Sequence, residues 1–207
     1  TIRGDEATFD LSGSCDRVSN FCNTTPFMAR SAVAYAARIM SGRDMNQNAG
    51  ALRPLTIITR PGSILEPGWN ASVAAGNHET SMRIVDAIFR AMQDTIPERL
   101  SAGGATTAGV LFFAEPRQSG SWKMLYEVHG GGEGARHDRD GISATRVHLS
   151  NTSNTPVEVI EANYAIRLEQ QAIRRQSGGA GAHRGGDGSV RTYRILAPSM
   201  HLTTCIE

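Results

Sequence analysis

The segment NTSNTPVEVIE, residues 151–161, gathers polar side chains directly before a proline and two acids. Asn151, Thr152, Asn154 and Thr155 supply amides and hydroxyls. Such residues followed by proline, with acids in the next turn, are typical of a helix start. Polar loops beside strand ends are also common binding positions. The segment therefore has two interpretations, a helix cap and a lining for a substrate pocket, and both stay open.

A second polar group, in AAGNHETS, precedes an apolar stripe at helical spacing. Asn77 or Thr80 would cap a helix predicted over about 79–94, and Glu79 would lie near its positive end. Together with His78, these side chains also offer donor, titratable and acceptor groups at a helix N-terminus. A substrate carbonyl or carboxylate could be held there.

Two glycine-rich segments, residues 129–141 and 177–188, interleave Arg, His and Asp between predicted strands. The HGGG stretch matches the oxyanion loop of lipase-like hydrolases, but no serine has glycine at both −2 and +2, which excludes that fold. Two interpretations remain: a backbone N–H cradle for an anion, with Arg136 supplying charge, or a tight crossing of strands. The candidate cradle residues are Gly130, Gly131, Gly132 and Gly134.

A metal site in the same region is the weaker interpretation. His137, Asp138, Asp140 and His148 are suitable ligand types, but no HExxH motif is present. A solvated, salt-bridged loop is the more common form of such a segment. We therefore predict no metal site within this chain.

Composition excludes several classes of protein. The 207 residues carry a formal net charge of +1, which gives no electrostatic reason to expect nucleic acid or an anionic membrane. No apolar run approaches the roughly 20 residues needed to span a bilayer. Three cysteines without CxxC spacing favour a reducing compartment. Lys123 is the only lysine, so the chain has no GxxxxGK[ST] phosphate loop.

Periodicity predicts an α+β fold: β-rich mixed sheets with two main helices and glycine-rich loops. The first helix begins with Thr25 as N-cap and Pro26 as its first residue, and Gly42 follows it. We expect one partial domain over residues 1–207, with a sub-boundary near 104–108. The predicted strands cover residues 7–13, 54–59, 109–114, 121–130, 144–151 and 189–196. Residues 164–175 fit either a strand or a helix, and the strand is favoured.

Six sequence blocks occur in an order that closely resembles the hydantoinase B/oxoprolinase family. They are ATFDLSGS, NAGALRPLTIITRPGSILEP, AGNHETSMRIVDAIFRAM, YEVHGGGEGARHDRDG, VHLSNTSNTPVEVIE and SGGAGAHRGGDGSVRTYRIL. The family comprises subunits of ATP-dependent N-methylhydantoinases and 5-oxoprolinases and the alpha-type subunits of acetone and acetophenone carboxylases. The resemblance covers essentially the whole chain.

The resemblance implies a cytoplasmic, multisubunit enzyme. Its partner would be a hydantoinase A-type, actin-like subunit that binds ATP with Mg²⁺, and the activated substrate would be a small molecule phosphorylated on an amide or enolate oxygen. The family's GTH…D and His-His-Asp blocks do not occur here. The chain therefore resembles a C-terminal-half segment, inactive alone. A divalent metal would bind the remaining part of the B-type subunit, outside this chain.

The resemblance also implies the site residues. His78 and Glu79 would be catalytic. Three functions stay open: an ATP-dependent hydrolase of cyclic amides (hydantoin, oxoproline or lactam), a ketone carboxylase subunit, and a non-catalytic assembly module. The substrate-binding residues would be Asn77, Thr80, Ser81, Gly130, Gly131, Gly132, Gly134, Arg136, Asn151, Thr152, Asn154 and Thr155.

Overall fold

The computed structural model describes residues 1–206, which form an α+β fold as predicted. The chain divides into two compact units, unit 1 over Thr1–Ala102 and unit 2 from Gly103 onward. The helices are α1 (Pro26–Ser41), α2 (Ser81–Met92) and α3 (Val157–Asn163). The strands are β1 (Ile2–Arg3), β2 (Glu6–Asp10), β3 (Leu55–Ile58), β4 (Val110–Pro116), β5 (Trp122–Val128), β6 (Ile166–Arg174), β7 (Gly188–Ile195) and β8 (His201–Cys205).

Helix α1 has the ends that its sequence predicts. Oγ1 of Thr25 accepts a hydrogen bond from the backbone N–H of Met28 at 3.3 Å, which satisfies one of the amides left open at a helix start. Gly42 closes the helix at φ +60° and donates its N–H to the Ile39 carbonyl at 3.1 Å. Glycine adopts this left-handed conformation without steric cost.

Unit 1 has its core between α1 and α2. Small buried residues on α1, among them Ala29, Ala32 and Ala36, contact the apolar face of α2. Strands β1, β2 and β3 form a three-stranded sheet in which β2 and β3 are parallel. Strand β3 lies within the strand predicted at 54–59 and alternates between half-buried and exposed residues, so it is not a fully buried strand.

Unit 2 contains an antiparallel sheet with strand order β5-β4-β8. Strands β4 and β5 were both predicted, whereas β8 was not, because HLTTC has little apolar character of its own. One face of the sheet places Leu111, Phe113 and Leu125 against Ile160 of α3 and Ile166 of β6. Burial of this face stabilises the unit.

The second sheet of unit 2 is the antiparallel hairpin of β6 and β7, and both strands were predicted. The strand predicted at 144–151 is wrong. Ala144 and His148 have φ values of +50° and +53°, which interrupt an extended chain. The segment makes one isolated bridge, between Thr145 and Gly131.

Within residues 1–206, no helix has both the length and the apolar character needed to cross a membrane.

Candidate functional site

The predicted catalytic residues lie on a single π-helical turn, Gly76–Thr80, that leads directly into α2. The turn begins where two backbone segments touch. A Cβ on Gly76 would lie 2.4 Å from the carbonyl oxygen of Asn23, so only glycine fits. Asn23 is itself fully buried, and its Nδ2 donates to the carbonyls of Val18, Asn20 and Ser72. The turn is therefore fixed from its first residue.

The capping prediction for this turn was wrong. Neither Asn77 nor Thr80 makes a side-chain cap hydrogen bond. The π turn extends the helix backwards, so that the N–H of Glu79 already donates to the Ala75 carbonyl at 2.9 Å. Oγ1 of Thr80 donates instead to the Cys22 carbonyl, and Oγ of Ser81 donates to the Asn77 carbonyl at 2.6 Å.

His78 and Glu79 form a pair at a hydrogen-bonding distance. Nδ1 of His78 lies 3.3 Å from Oε1 of Glu79. The Glu79 side chain is 2% exposed, whereas that of His78 is 23% exposed. A buried carboxylate at Nδ1 fixes the orientation of an imidazole and leaves Nε2 for another partner. This arrangement suits an imidazole that accepts or donates a proton.

In unit 2, two adjoining cavities bring together several of the predicted substrate-binding residues. The cavities have volumes of about 250 and 130 Å³ and share Gly130, Ala144 and Asn154 in their linings. Asn151 and Thr152 line the smaller cavity. Thr155, Gly131, Gly132 and Gly134 are not among the lining residues of either. The polar loop before α3 thus borders a concave site, and its binding role stays a prediction.

The two glycine-rich segments meet in a close backbone crossing. A Cβ on Gly132 would lie 1.9 Å from the carbonyl oxygen of Gly186, and a Cβ on Gly186 would lie 2.1 Å from that of Ile142. The N–H of Gly186 donates to the Glu133 carbonyl at 2.8 Å, and the N–H of Glu133 donates to the Ile142 carbonyl at 2.9 Å. Close packing of the two backbones is therefore sufficient to explain why position 132 is a glycine.

Arg136 forms an ion pair within its own loop. Its Nη2 lies 2.7 Å from Oε1 of Glu133, and its side chain is 45% exposed. Arg136 does not line either cavity. Its charge is therefore already matched by a neighbouring carboxylate.

Two aspartates of the loop around 137–148 lie near histidine rings. Nδ1 of His137 lies 3.8 Å from a carboxylate oxygen of Asp138, and that of His183 lies 3.6 Å from one of Asp140. Within residues 1–206, no three His, Cys, Asp or Glu side chains group as a metal site requires.

The charged groups beside the cavities are residues that the sequence did not single out. Arg191 lines the larger cavity, and its Nη1 lies 2.7 Å from Oε2 of Glu127. The two side chains are only 3% and 1% exposed. A buried charge is stable only when it is paired and hydrogen-bonded. This ion pair therefore joins β5 to β7 behind the cavity.

A histidine and a tyrosine extend this group. Nε2 of His129 lies 3.0 Å from the hydroxyl of Tyr193, which also accepts a longer bond from Arg191 at 3.5 Å. Burial, followed by the charges of Arg191 and Arg146, lowers the pKa of His129 to about 4. His129 is therefore neutral at physiological pH. Burial raises the pKa of Tyr193 above its usual value of 10.

Arg146 lines the smaller cavity and is only partly satisfied. Its Nη2 donates to the carbonyl of Val128. Its Nη1 is buried and has no hydrogen-bond partner among the described residues. Burial and the charge of Arg191 lower the pKa of Arg146, and Tyr126 and Glu127 oppose this shift.

One sequence signal could have revealed part of this group. Glu127 lies two residues after Leu125, on the same inward face of β5. A buried carboxylate in such a position requires a cation as its partner. Arg191 and Tyr193 are likewise two residues apart on one face of β7. No such signal marks Arg146, because the segment that carries it is irregular.

Comparison with known proteins supports the resemblance seen in the sequence. The model of the Hydantoinase B/oxoprolinase family matches residues 1–207. A 5-oxoprolinase from Dictyostelium discoideum is 34% identical over 92% of this chain, which covers 14% of that protein. The B component of a putative D-/L-hydantoinase from a Pseudomonas strain is 26% identical over 95% of this chain and 34% of its own length. The chain thus spans only part of these relatives.

Two solved structures share the fold. The ATP-dependent caprolactamase from Pseudomonas jessenii superposes with a TM-score of 0.82 at 22% identity, over 94% of this chain and 34% of that chain. A nucleotide-free acetone carboxylase superposes with a TM-score of 0.80 at 18% identity, over 94% of this chain and 27% of that chain. At these identities the likeness concerns the fold.

Proposed function

This chain belongs to the Hydantoinase B/oxoprolinase family, and we propose that it is a segment of the B-type subunit of an ATP-dependent cyclic-amide hydrolase. Hydantoins, oxoproline and lactams are the proposed substrate class. The observation that carries the proposal is the 34% identity to a 5-oxoprolinase over 92% of the chain. The likeness in fold to an ATP-dependent caprolactamase is consistent with it.

ATP and Mg²⁺ would bind a hydantoinase A-type partner with an actin-like fold. The only lysine, Lys123, places its Nζ 5.2 Å from the centroid of the Tyr164 ring, a cation–π contact. With no GxxxxGK[ST] segment either, this chain lacks a phosphate loop of that type. The Pseudomonas relative is named as one subunit of a hydantoinase, which supports a separate partner chain. A divalent metal would bind the remaining part of the B-type subunit, and the assembly would be cytoplasmic.

His78 and Glu79 would act on water in the hydrolytic step. In the proposed reaction, the γ-phosphoryl group of ATP is transferred to the amide oxygen of the ring. Water then adds to the activated carbon, and the C–N bond of the ring breaks as the departing nitrogen takes up a proton, which leaves an acyl phosphate. A second water hydrolyses the acyl phosphate to a carboxylate and phosphate. Nε2 of His78 would take the proton from water, while the buried Glu79 carboxylate, 3.3 Å from Nδ1, orients the ring.

The cavities of unit 2 would bind polar groups of the substrate. Asn151, Thr152 and Asn154 supply amides and a hydroxyl along the cavity walls. Side chains of this kind fix the orientation of small ligands in concave sites. Orientation of the reacting carbon accounts for a large part of catalysis.

A ketone carboxylase is the alternative function. It is supported by the acetone carboxylase fold, whose TM-score of 0.80 is close to the 0.82 of the caprolactamase. A carboxylase requires bicarbonate for turnover and a hydrolase does not. A non-catalytic assembly module is a third alternative, which predicts normal turnover after Glu79→Gln.

Phosphate release by the complete complex tests the proposal. The complex is supplied with ATP and with 5-oxoproline, hydantoin or caprolactam, with and without bicarbonate. Substrate-dependent phosphate release together with ring opening, independent of bicarbonate, is expected. Release that requires bicarbonate and a ketone would replace the proposal with the carboxylase, and no release with any substrate would refute both.

A further inference from the structure

The group of charged residues in unit 2 carries a surplus of positive charge. Among residues 1–206, Arg146 and Arg191 share one carboxylate, Glu127. His129 adds no charge at neutral pH, because its pKa is held at about 4. Two cations and one anion leave one net positive charge in a largely buried region. A buried charge without a counter-ion is costly.

The surplus charge lies at Arg146, because Glu127 already pairs with Arg191 at 2.7 Å. One amino group of the Arg146 guanidinium donates to the Val128 carbonyl. The other, Nη1, is buried and has no hydrogen-bond partner within residues 1–206. Within the described part of the chain, its donors therefore remain unsatisfied.

The cavity beside Arg146 is lined by groups that suit a small oxyanion. Its lining includes Asn151, Thr152, Ser153 and Asn154, which offer amide and hydroxyl groups. The cavity continues into the larger one through Gly130, where a side chain would lie 2.8 Å from the Ala144 carbonyl. The combined space accommodates a small ring in one part and its charged substituent in the other.

We propose that the smaller cavity binds a carboxylate group, with Arg146 as its charged ligand and Asn151 and Thr152 as neutral ones. Arginine suits this role because its planar donors match a carboxylate. The surplus of one positive charge fits a carboxylate, which carries one negative charge. A phosphate dianion would leave the site with a net negative charge.

The test uses titration calorimetry to measure ligand binding to the complete B-type chain without ATP. The probes are 5-oxoproline, 2-pyrrolidinone, which is the same ring without the carboxylate, and inorganic phosphate. The variants are Arg146→Gln and Arg146→Lys. The control is Arg194→Gln on β7, whose side chain is 62% exposed and pairs with Glu169.

We expect 5-oxoproline to bind at least about 10-fold more tightly than 2-pyrrolidinone, since a hydrogen bond to a charged group is strong. Arg146→Gln should weaken the binding of 5-oxoproline about 10- to 100-fold and leave the affinity for 2-pyrrolidinone unchanged. Arg146→Lys keeps the charge but loses the two parallel N–H donors of the guanidinium. It should weaken the binding of 5-oxoproline by a smaller factor. Arg194→Gln should change neither affinity.

Three results would overturn the proposal: equal affinity for the two ring compounds, unchanged affinity of a folded Arg146 variant, or tighter binding of phosphate with the same dependence on Arg146. Circular dichroism establishes whether each variant folds. If neither variant folds, the comparison of the three probes on the native protein decides. Only the choice of ring rests on the proposed function. Because ATP is absent, a failure to bind is distinct from a failure to hydrolyse.

Discussion

The two units of this chain hold their polar residues in place by different means. In unit 1, the turn at Gly76–Thr80 is part of a helix, and its Thr80 hydroxyl is used in a backbone contact. In unit 2, irregular loops border the smaller cavity, a glycine crossing joins the two glycine-rich segments, and the buried Glu127–Arg191 pair joins β5 to β7. The functional residues of the turn are sequence neighbours on one helical segment, whereas the cavities of unit 2 gather residues from segments far apart in sequence.

This difference separates the roles that each region can have. The turn of unit 1 presents one orientable imidazole, His78, with a buried carboxylate behind it. The smaller cavity of unit 2 presents an arginine and several neutral polar groups around an open space. The first arrangement is suited to proton transfer and the second to ligand binding.

The largest expected effect comes from removing the cation of the buried ion pair in unit 2. Arg191→Met leaves the Glu127 carboxylate buried without its partner, and we expect a loss of about 3–5 kcal/mol of folding free energy. Denaturant unfolding of the complete B-type chain measures it. The double variant Arg191→Met with Glu127→Met should recover at least half of the loss. A single variant of native stability would show that the pair does not hold the strands.

The glycine crossing gives the next largest effect. Gly132→Ala places a Cβ 1.9 Å from the Gly186 carbonyl oxygen, a backbone atom that cannot move aside cheaply. We expect a loss of about 3 kcal/mol, measured by thermal unfolding. Gly179→Ala is the matched control in the second glycine-rich segment, since a Cβ there meets no atom within 4 Å. The control should change stability by less than about 1 kcal/mol. Equal effects of the two variants would refute the crossing.

The stability of unit 2 should depend on pH through His129. Burial and the nearby Arg191 and Arg146 lower its folded pKa from 6.5 to about 4. Between these values the unfolded chain binds a proton that the folded chain does not. The stabilisation is therefore complete above pH 6.5 and is lost as the pH falls toward 4.

We expect this loss to be about 1–2 kcal/mol, after a reduction for solvent screening of a half-buried ring. Unfolding measured in steps from pH 7 to pH 4 checks it, with His129→Gln as comparison. In the variant, this part of the pH dependence should disappear. A native and a variant protein with parallel curves would contradict the assignment to His129.

The smallest expected effect concerns unit 1. Thr25→Ala removes the hydroxyl that accepts from Met28 N–H at the start of α1, and should cost about 1 kcal/mol. Ser31→Ala in the same helix is the control, because its hydroxyl only returns to the Phe27 carbonyl. Thermal unfolding of both variants compares them. A larger loss from Ser31→Ala would show that the cap contributes little.

The sequence predicts the structure correctly where the signal is local. The start and end of α1 follow from Thr25, Pro26 and Gly42, and the hairpins of unit 2 follow from their alternating strands. It was insufficient where positive φ values decide the path. Ala144 and His148 interrupt a segment whose alternation predicts a strand, and no residue type there marks the interruption.

The candidate sites show the same division. Asn151, Thr152 and Asn154 were singled out because they are neighbours in sequence, and they line one cavity. Arg146 and Arg191 were missed, because their nearness to each other and to Glu127 depends on how loops and strands cross. The side-chain caps expected at Asn77 and Thr80 do not form, because backbone hydrogen bonds of the π turn already occupy the amides that a cap would bind.

One measurement tests the division of roles most directly: kcat and KM of the complete complex with 5-oxoproline, for His78→Gln and Arg146→Gln. His78→Gln should lower kcat about 100-fold and leave KM nearly unchanged, since it removes a proton acceptor. Arg146→Gln should raise KM about 10-fold or more and change kcat less. If His78→Gln instead raises KM, or if both variants lower kcat alike, the assignment of proton transfer to unit 1 and binding to unit 2 is wrong.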